Sequence, residues 1–270
     1  VKEPIYTLHR GHTPLLVSLP HAGTRVPASL HDRLQPRALA VEDTDWFVER
    51  LYAFAVDLGA SLIVPLHSRY VIDLNRPRDN RPMYAGANNT ELCPTHFFTG
   101  DALYVEGGEP TPAEVAQRVD TYWAPYHDAL AHELARLKAE HGHAVLFDGH
   151  SIKSELPWLF EGKLPDLNLG TADGGACAPS LRDALASLLQ AQPMFEQPLY
   201  SVAVDGRFKG GHITRHYGRP HDGVHALQLE KCWSTYMREV PPLDWHAARA
   251  EQLQRLLRPL LRTMIEWRPG

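Results

Sequence analysis

Short runs rich in Val, Ile and Leu alternate along the chain with longer stretches of helical periodicity. Runs that are apolar at nearly every position suit strands covered by helices on both faces, because a strand with one wet face would alternate apolar with polar. The pattern predicts an α/β fold. Strands are expected at Leu15–Leu19, Ser61–Pro65, Tyr70–Leu74, Ala144–Asp148, Ser201–Val204 and Ala226–Glu230. The clearest helix starts at Thr111, with Pro112 in the first helical position and Glu114 completing a capping box. It is expected to reach about His141, with Val115, Val119, Trp123, Leu130, Leu134 and Leu137 forming one buried stripe. A second helix is expected from near Ser180. A last one runs from Asp244 towards Trp267, with Leu253, Leu256, Leu257, Leu260 and Leu261 inward and Pro259 as a bend. Between Arg76 and Pro110, Pro, Asn and Gly recur without a period, which predicts a long loop of the kind that often carries function.

No stretch of the 270 residues resembles a linker, so one domain spanning 1–270 is expected. With 44% hydrophobic and 22% charged residues, the chain can bury a substantial core. A formal net charge of −5 argues against nucleic acid, which selects concentrated basic surfaces. No apolar run approaches the roughly 20 residues that span a bilayer, and the first residues lack a secretory signal's apolar stretch. The expectation is a cytoplasmic protein without a membrane partner; a homo-oligomer remains compatible with the sequence. Cys93, Cys177 and Cys232 lie far apart with no CxxC pair, so neither a disulfide framework nor a thiolate metal site is suggested.

Sixteen histidines are present, and a histidine is more often structural than a ligand, so position must decide. Two follow strong strand candidates: His21 after Leu15–Leu19, and His150 after Ala144–Asp148. The carboxyl ends of strands in an open α/β sheet line the ligand crevice, where both rings can meet. Catalytic zinc takes three protein ligands and keeps a position for water. Asp45 is the best candidate for a third ligand, with Asp43 in reserve; both also make sense as residues at a helix start. Manganese, iron or cobalt would accept the same donors. Glu230 ends an apolar strand, where a carboxylate is either a general base or the partner of an arginine. Arg69 opens an apparently buried run and needs a partner or a ligand. Arg215 lies in the Gly-rich turn Lys209-Gly210-Gly211-His212-Ile213-Thr214-Arg215, where it could clamp a substrate carboxylate. His212 and His216 are left as structural or ligand-supporting residues.

The segments Ser18-Leu19-Pro20-His21-Ala22-Gly23, Asp43-Thr44-Asp45-Trp46, Ser68-Arg69-Tyr70-Val71-Ile72-Asp73-Leu74-Asn75-Arg76-Pro77, Asp148-Gly149-His150-Ser151, Gly210-Gly211-His212-Ile213-Thr214-Arg215 and Leu227-Gln228-Leu229-Glu230 together resemble the N-formylglutamate amidohydrolase family. The family is more distantly similar to aspartoacylases and zinc exopeptidases. The resemblance implies a three-layer αβα sandwich with a mixed, mostly parallel sheet and one catalytic zinc. It also implies hydrolysis of N-formyl-L-glutamate to formate and L-glutamate, as in histidine degradation. The distant relatives often take two ligands from an HxxE pattern; here Ala22, Gly23 and Thr24 follow His21, so the carboxylate must come from elsewhere. Arg69, Asn75 and Arg76 fall in a stretch resembling an aspartoacylase segment whose counterparts polarise the scissile carbonyl and hold the substrate carboxylate. The residues also admit a deacylase for another N-acyl or N-formimino acidic amino acid, a non-catalytic dicarboxylate binder, or a scaffold with purely structural histidines.

Overall fold

The computed structural model describes residues 3–82, 89–191 and 199–270. Among them, seven strands form one mixed sheet: β1 (Tyr6–His9), β2 (Leu15–Ser18), β3 (Ser61–Pro65), β4 (Ala144–Ile152), β5 (Leu167–Gly170), β6 (Val202–Val204) and β7 (Val224–Cys232). Their order is β1-β3-β2-β4-β7-β5-β6. The central strands β3, β2, β4 and β7 run parallel. β1 joins one edge antiparallel to β3, and β5 joins antiparallel to β7 with β6 parallel beside it.

Alternation along the buried strands sends side chains to two helical layers. Leu15, Val17, Val145, Phe147, Leu227 and Leu229 pack with α1 (Val48–Tyr52), α2 (Phe54–Asp57), α5 (Pro179–Gln190) and α7 (Ala247–Glu266). Leu16, Ile63, Leu146 and Ala226 pack on the other face with α4 (Ala124–His141) and with Ile213 of α6 (His212–Tyr217). The result is the α/β fold that the patterning predicts, in the three-layer αβα form that the resemblance implies. No helix among the described residues is long and apolar enough to cross a membrane.

The Thr111 capping box forms: Thr111 Oγ1 accepts from the Glu114 N–H, and the Glu114 carboxylate accepts from the Thr111 N–H. The helix expected to run unbroken to His141 is instead α3 (Pro112–Arg118), a π turn at Val119–Trp123, and then α4. Pro125 has no N–H to donate to the Thr121 carbonyl, which loosens the ladder at that turn.

Two further expectations need correction. Tyr70–Leu74 is buried but is not a strand. Side chains capture the backbone donors there: the Tyr70 N–H donates to Ser68 Oγ, and the Asn75 N–H donates to Asp73 Oδ1 at 2.8 Å. In addition, β4 and β7 outlast β2, pairing residue for residue to Ile152 and Cys232. His150 and Glu230 therefore lie inside strands rather than at or beyond their ends. β1 and β5 carried too little apolar signal to be expected at all. Along the face covered by α4, three of the four central strands turn from apolar to polar toward their carboxyl ends: Leu16 to Ser18 in β2, Leu146 to Asp148 and His150 in β4, Ala226 to Gln228 and Glu230 in β7.

Candidate metal centre and substrate cavity

His21, Asp45 and His150 are buried, and one donor atom from each lies within 4.8 Å of the other two. Three chain segments achieve this. β2 stops at Ser18 and the chain turns at Pro20, bringing the His21 carbonyl to accept from the Asp45 N–H at 3.0 Å. β4 carries His150 alongside, with the two imidazole centroids 4.8 Å apart. Asp45 Oδ2 accepts the Ser151 N–H at 3.2 Å and faces both rings, 3.2 Å from His150 Nδ1 and 3.8 Å from His21 Nδ1. The Tyr236 hydroxyl lies 2.7 Å from the Trp46 carbonyl and 2.6 Å from Ser151 Oγ, and so ties together the segments that hold Asp45.

The far nitrogens are equally constrained. His21 Nε2 lies 2.7 Å from Asp73 Oδ1, and His150 Nε2 lies 2.9 Å from Asp148 Oδ2. A carboxylate only accepts, so both rings carry hydrogen on Nε2 and point Nδ1 toward Asp45; in the ion-free protein the His150 Nδ1 is protonated as well and donates to Asp45 Oδ2, a proton that a bound ion would displace. The Asn75 amide nitrogen reaches the same Asp148 oxygen at 3.3 Å. Two imidazole nitrogens, one carboxylate oxygen and an outer carboxylate behind each ring form a donor set suited to zinc or a similar divalent ion.

Burial disfavours a charged His150, yet Asp148 and Asp45 outweigh it and raise the ring to about 10. For Asp73, burial pushes the carboxyl up, but Arg69, His21 and Arg76 together hold it well below the usual range. Asp45, Asp73, Asp148 and Glu230 gather around Arg69 and the fully buried Lys231.

Glu230 pairs in register with His150 across β4 and β7. Burial raises it to about 7, against the opposing pull of His150, and its Oε1 has no hydrogen-bond partner among the described residues. Arg69 is buried; it donates to Asp73 Oδ2 at 2.5 Å, lies 4.6 Å over the Phe98 ring, and leaves Nε without a partner among the described residues. These groups line one cavity with Asn75, Arg76, Asn89, Thr90, Phe98, Ile152, Leu159, Arg207, Phe208, Gly211 and Gln228. Arg76 donates to Thr90 O at 2.9 Å and to Thr90 Oγ1 at 2.7 Å, which fixes its guanidinium at the wall.

Of the residues expected at the site, His21, Asp45, Arg69, Asn75, Arg76, His150 and Glu230 meet at this cavity. Asp43 does not; its carboxylate accepts from the Tyr70 hydroxyl at 2.8 Å and the Phe98 N–H at 3.0 Å. Arg215 is a correction. Its Nε donates to the Gly210 carbonyl at 2.9 Å, and its side chain lines a different hollow with His212 and His216. The Gly-rich turn serves Asn75 instead: a Cβ on Gly211 would lie 2.3 Å from Asn75 Nδ2. The sequence reading also missed Asp73 as the residue orienting His21, and Arg207. The basic-aromatic pair Arg207-Phe208 just before the glycines is the only local signal for the latter.

Comparison with known proteins places the chain among relatives. The sequence model of the N-formylglutamate amidohydrolase family matches residues 13–237. The chain is 45% identical over 265 residues to an N-formylglutamate deformylase of Pseudomonas putida, covering 98% of this chain and 97% of that protein. It is 46% identical, with the same coverage, to an N-formylglutamate deformylase of Pseudomonas aeruginosa. The crystal structure of N-formylglutamate amidohydrolase from Ralstonia eutropha JMP134 superposes with a TM-score of 0.78 at 27% identity, covering 96% of both chains. A gene product of Agrobacterium tumefaciens, 19% identical with a TM-score of 0.65 and coverage of 98% and 97%, shares the fold. A match running through nearly the whole chain, in sequence and in backbone, leaves one conclusion: the chain belongs to the N-formylglutamate amidohydrolase family.

Proposed function

We propose that this protein hydrolyses N-formyl-L-glutamate to formate and L-glutamate, a reaction suited to histidine breakdown, using one zinc ion held by His21, Asp45 and His150. The observation that carries this reading is the convergence of the three donor atoms within 4.8 Å in a cavity that also holds Glu230, Arg69, Arg76 and Arg207. When bound, the ion supplies Lewis acidity and makes a water more acidic near neutral pH.

The rest of the chemistry falls to the chain's own side chains. Glu230, raised to about 7 with a free oxygen, takes the proton of the attacking water and later delivers it to the departing amine nitrogen. Arg69 stands at the cavity as a donor for the negative charge that develops on the formyl oxygen, and Asp73 keeps its guanidinium in place. Arg76 and Arg207 are the guanidinium groups for the two substrate carboxylates, each matched in shape to a planar anion. Asn75 steadies the Asp148–His150 pair from the same wall.

Formate release from N-formyl-L-glutamate by zinc-loaded protein, run beside N-formyl-L-aspartate and N-acetyl-L-aspartate, tests the reading. N-formyl-L-glutamate should be turned over best, and His150→Ala should abolish the activity. Equal activity in that variant would remove His150 from the mechanism.

A further inference from the structure

Arg215, His212 and His216 have no part in the reaction above, yet they come together. With Arg81 and Arg219 they line a second hollow of about 370 Å³. It adjoins the catalytic cavity: Arg76 and Gly211 line the cavity, while their chain neighbours Pro77 and His212 line the hollow.

Two of the three guanidinium groups share one arrangement. Arg215 Nε donates to the Gly210 carbonyl at 2.9 Å, Arg219 Nε donates to the His216 carbonyl at 3.3 Å, and Arg81 Nε lies 3.7 Å from Asp79 Oδ1. Arg215 and Arg219 are thus held through the inner nitrogen, which leaves the outer Nη edge, an edge that grips an oxyanion in bidentate fashion, for a ligand, while Arg81 makes only a loose, exposed ion pair beside them. Among the described residues no carboxylate lines the hollow, and Asp79 is the only acid paired with any of the three. Three like charges gather around one depression in a chain of net charge −5, and although solvent screens these exposed groups from one another, together they favour an anion there. The stacked rings of His212 and His216, 5.0 Å apart, form a firm wall to the same space.

We propose that this hollow is a binding site for a small multivalent oxyanion, a phosphate or a dicarboxylate, distinct from the catalytic cavity. The test is calorimetric titration of the zinc-loaded full chain with inorganic phosphate and, separately, with glutarate. Three proteins are compared: the unaltered chain, the Arg215→Gln/Arg219→Gln double variant, and Arg207→Gln as a control for anions entering the catalytic cavity. Loss of two charged contacts should weaken the favoured probe by at least about tenfold in the double variant. Arg207→Gln should leave that binding in place. Preference for phosphate assigns phosphate chemistry, and preference for glutarate assigns dicarboxylate chemistry. The ring resonances of His212 in the unaltered protein provide a readout independent of substitution and should move along the same binding curve. The proposal is overturned if neither probe saturates in the millimolar range, if the double variant binds as well as the unaltered chain, if only Arg207→Gln weakens binding, or if the His212 resonances stay still.

Discussion

His150 and Glu230 face each other in register on the adjacent parallel strands β4 and β7, so sheet hydrogen bonds fix a metal-ligand candidate beside a base candidate. Neither residue depends on a loop for its position. The burial that this placement imposes is also what raises Glu230 to about 7.

A base must be ionised to accept a proton, so the rate should fall as the pH drops through the Glu230 pKa. The value of about 7 belongs to the ion-free protein, and a neighbouring cation favours the carboxylate and lowers it. The profile of kcat/KM against pH in zinc-loaded protein should therefore show an acidic limb with its midpoint at or below about 7. Glu230→Gln should lower kcat by about 100-fold or more on the plateau above that limb, with the difference narrowing as the pH falls along it. A Gln variant with the original rate and limb would assign the base elsewhere.

Asp73 and Asp148 each accept from the Nε2 of one ring and so set which nitrogen faces the ion. Asp73→Asn and Asp148→Asn should each weaken zinc affinity by about 10–100-fold in competition with a chromophoric chelator. Unchanged affinity in both would mean that the outer carboxylates do not orient the ligands.

Arg207 and Arg215 make opposite predictions. Arg207 borders the cavity and Arg215 borders another hollow. Arg207→Gln should raise KM for N-formyl-L-glutamate by about tenfold or more, the expected scale for losing a charged hydrogen bond. Arg215→Gln should leave kcat/KM within about twofold, since its side chain makes no contact that only the transition state would use. The reverse pattern in steady-state kinetics would restore Arg215 as the carboxylate clamp.

Gly211 has no room for a side chain, because the Asn75 amide would lie 2.3 Å from its Cβ. Gly211→Ala should cost about 1–3 kcal/mol through overpacking. Thermal melting reads the loss, and kcat should fall with it, since Asn75 also touches the Asp148–His150 pair. Wild-type stability and activity in the Ala variant would show that the contact relaxes freely.

Most of the layered fold was legible because its central strands are apolar on both faces, a property of the residues themselves. His21, His150 and Glu230 were legible for a related reason: each is a polar group in or just beyond such a strand. Asp73 was hidden inside a run whose apolar composition mimics a strand, and only the turn made by Ser68 and Asp73 reveals where its carboxylate points. Arg207 follows β6, whose place in the sheet depends on long-range pairing through β5 to β7, and no short-range pattern encodes that. Arg215 misled for the converse reason: a Gly-rich turn signals close approach, but here the approaching group is Asn75.

The central claim is that His21, Asp45 and His150 share one zinc ion, and X-ray absorption at the zinc edge of the stoichiometrically loaded protein tests it most directly. The account predicts two imidazole nitrogens at about 2.0–2.1 Å and carboxylate oxygen at about 2.0–2.2 Å, with one imidazole lost in His150→Ala. A sulfur shell near about 2.3 Å, or an unchanged spectrum in that variant, would contradict it.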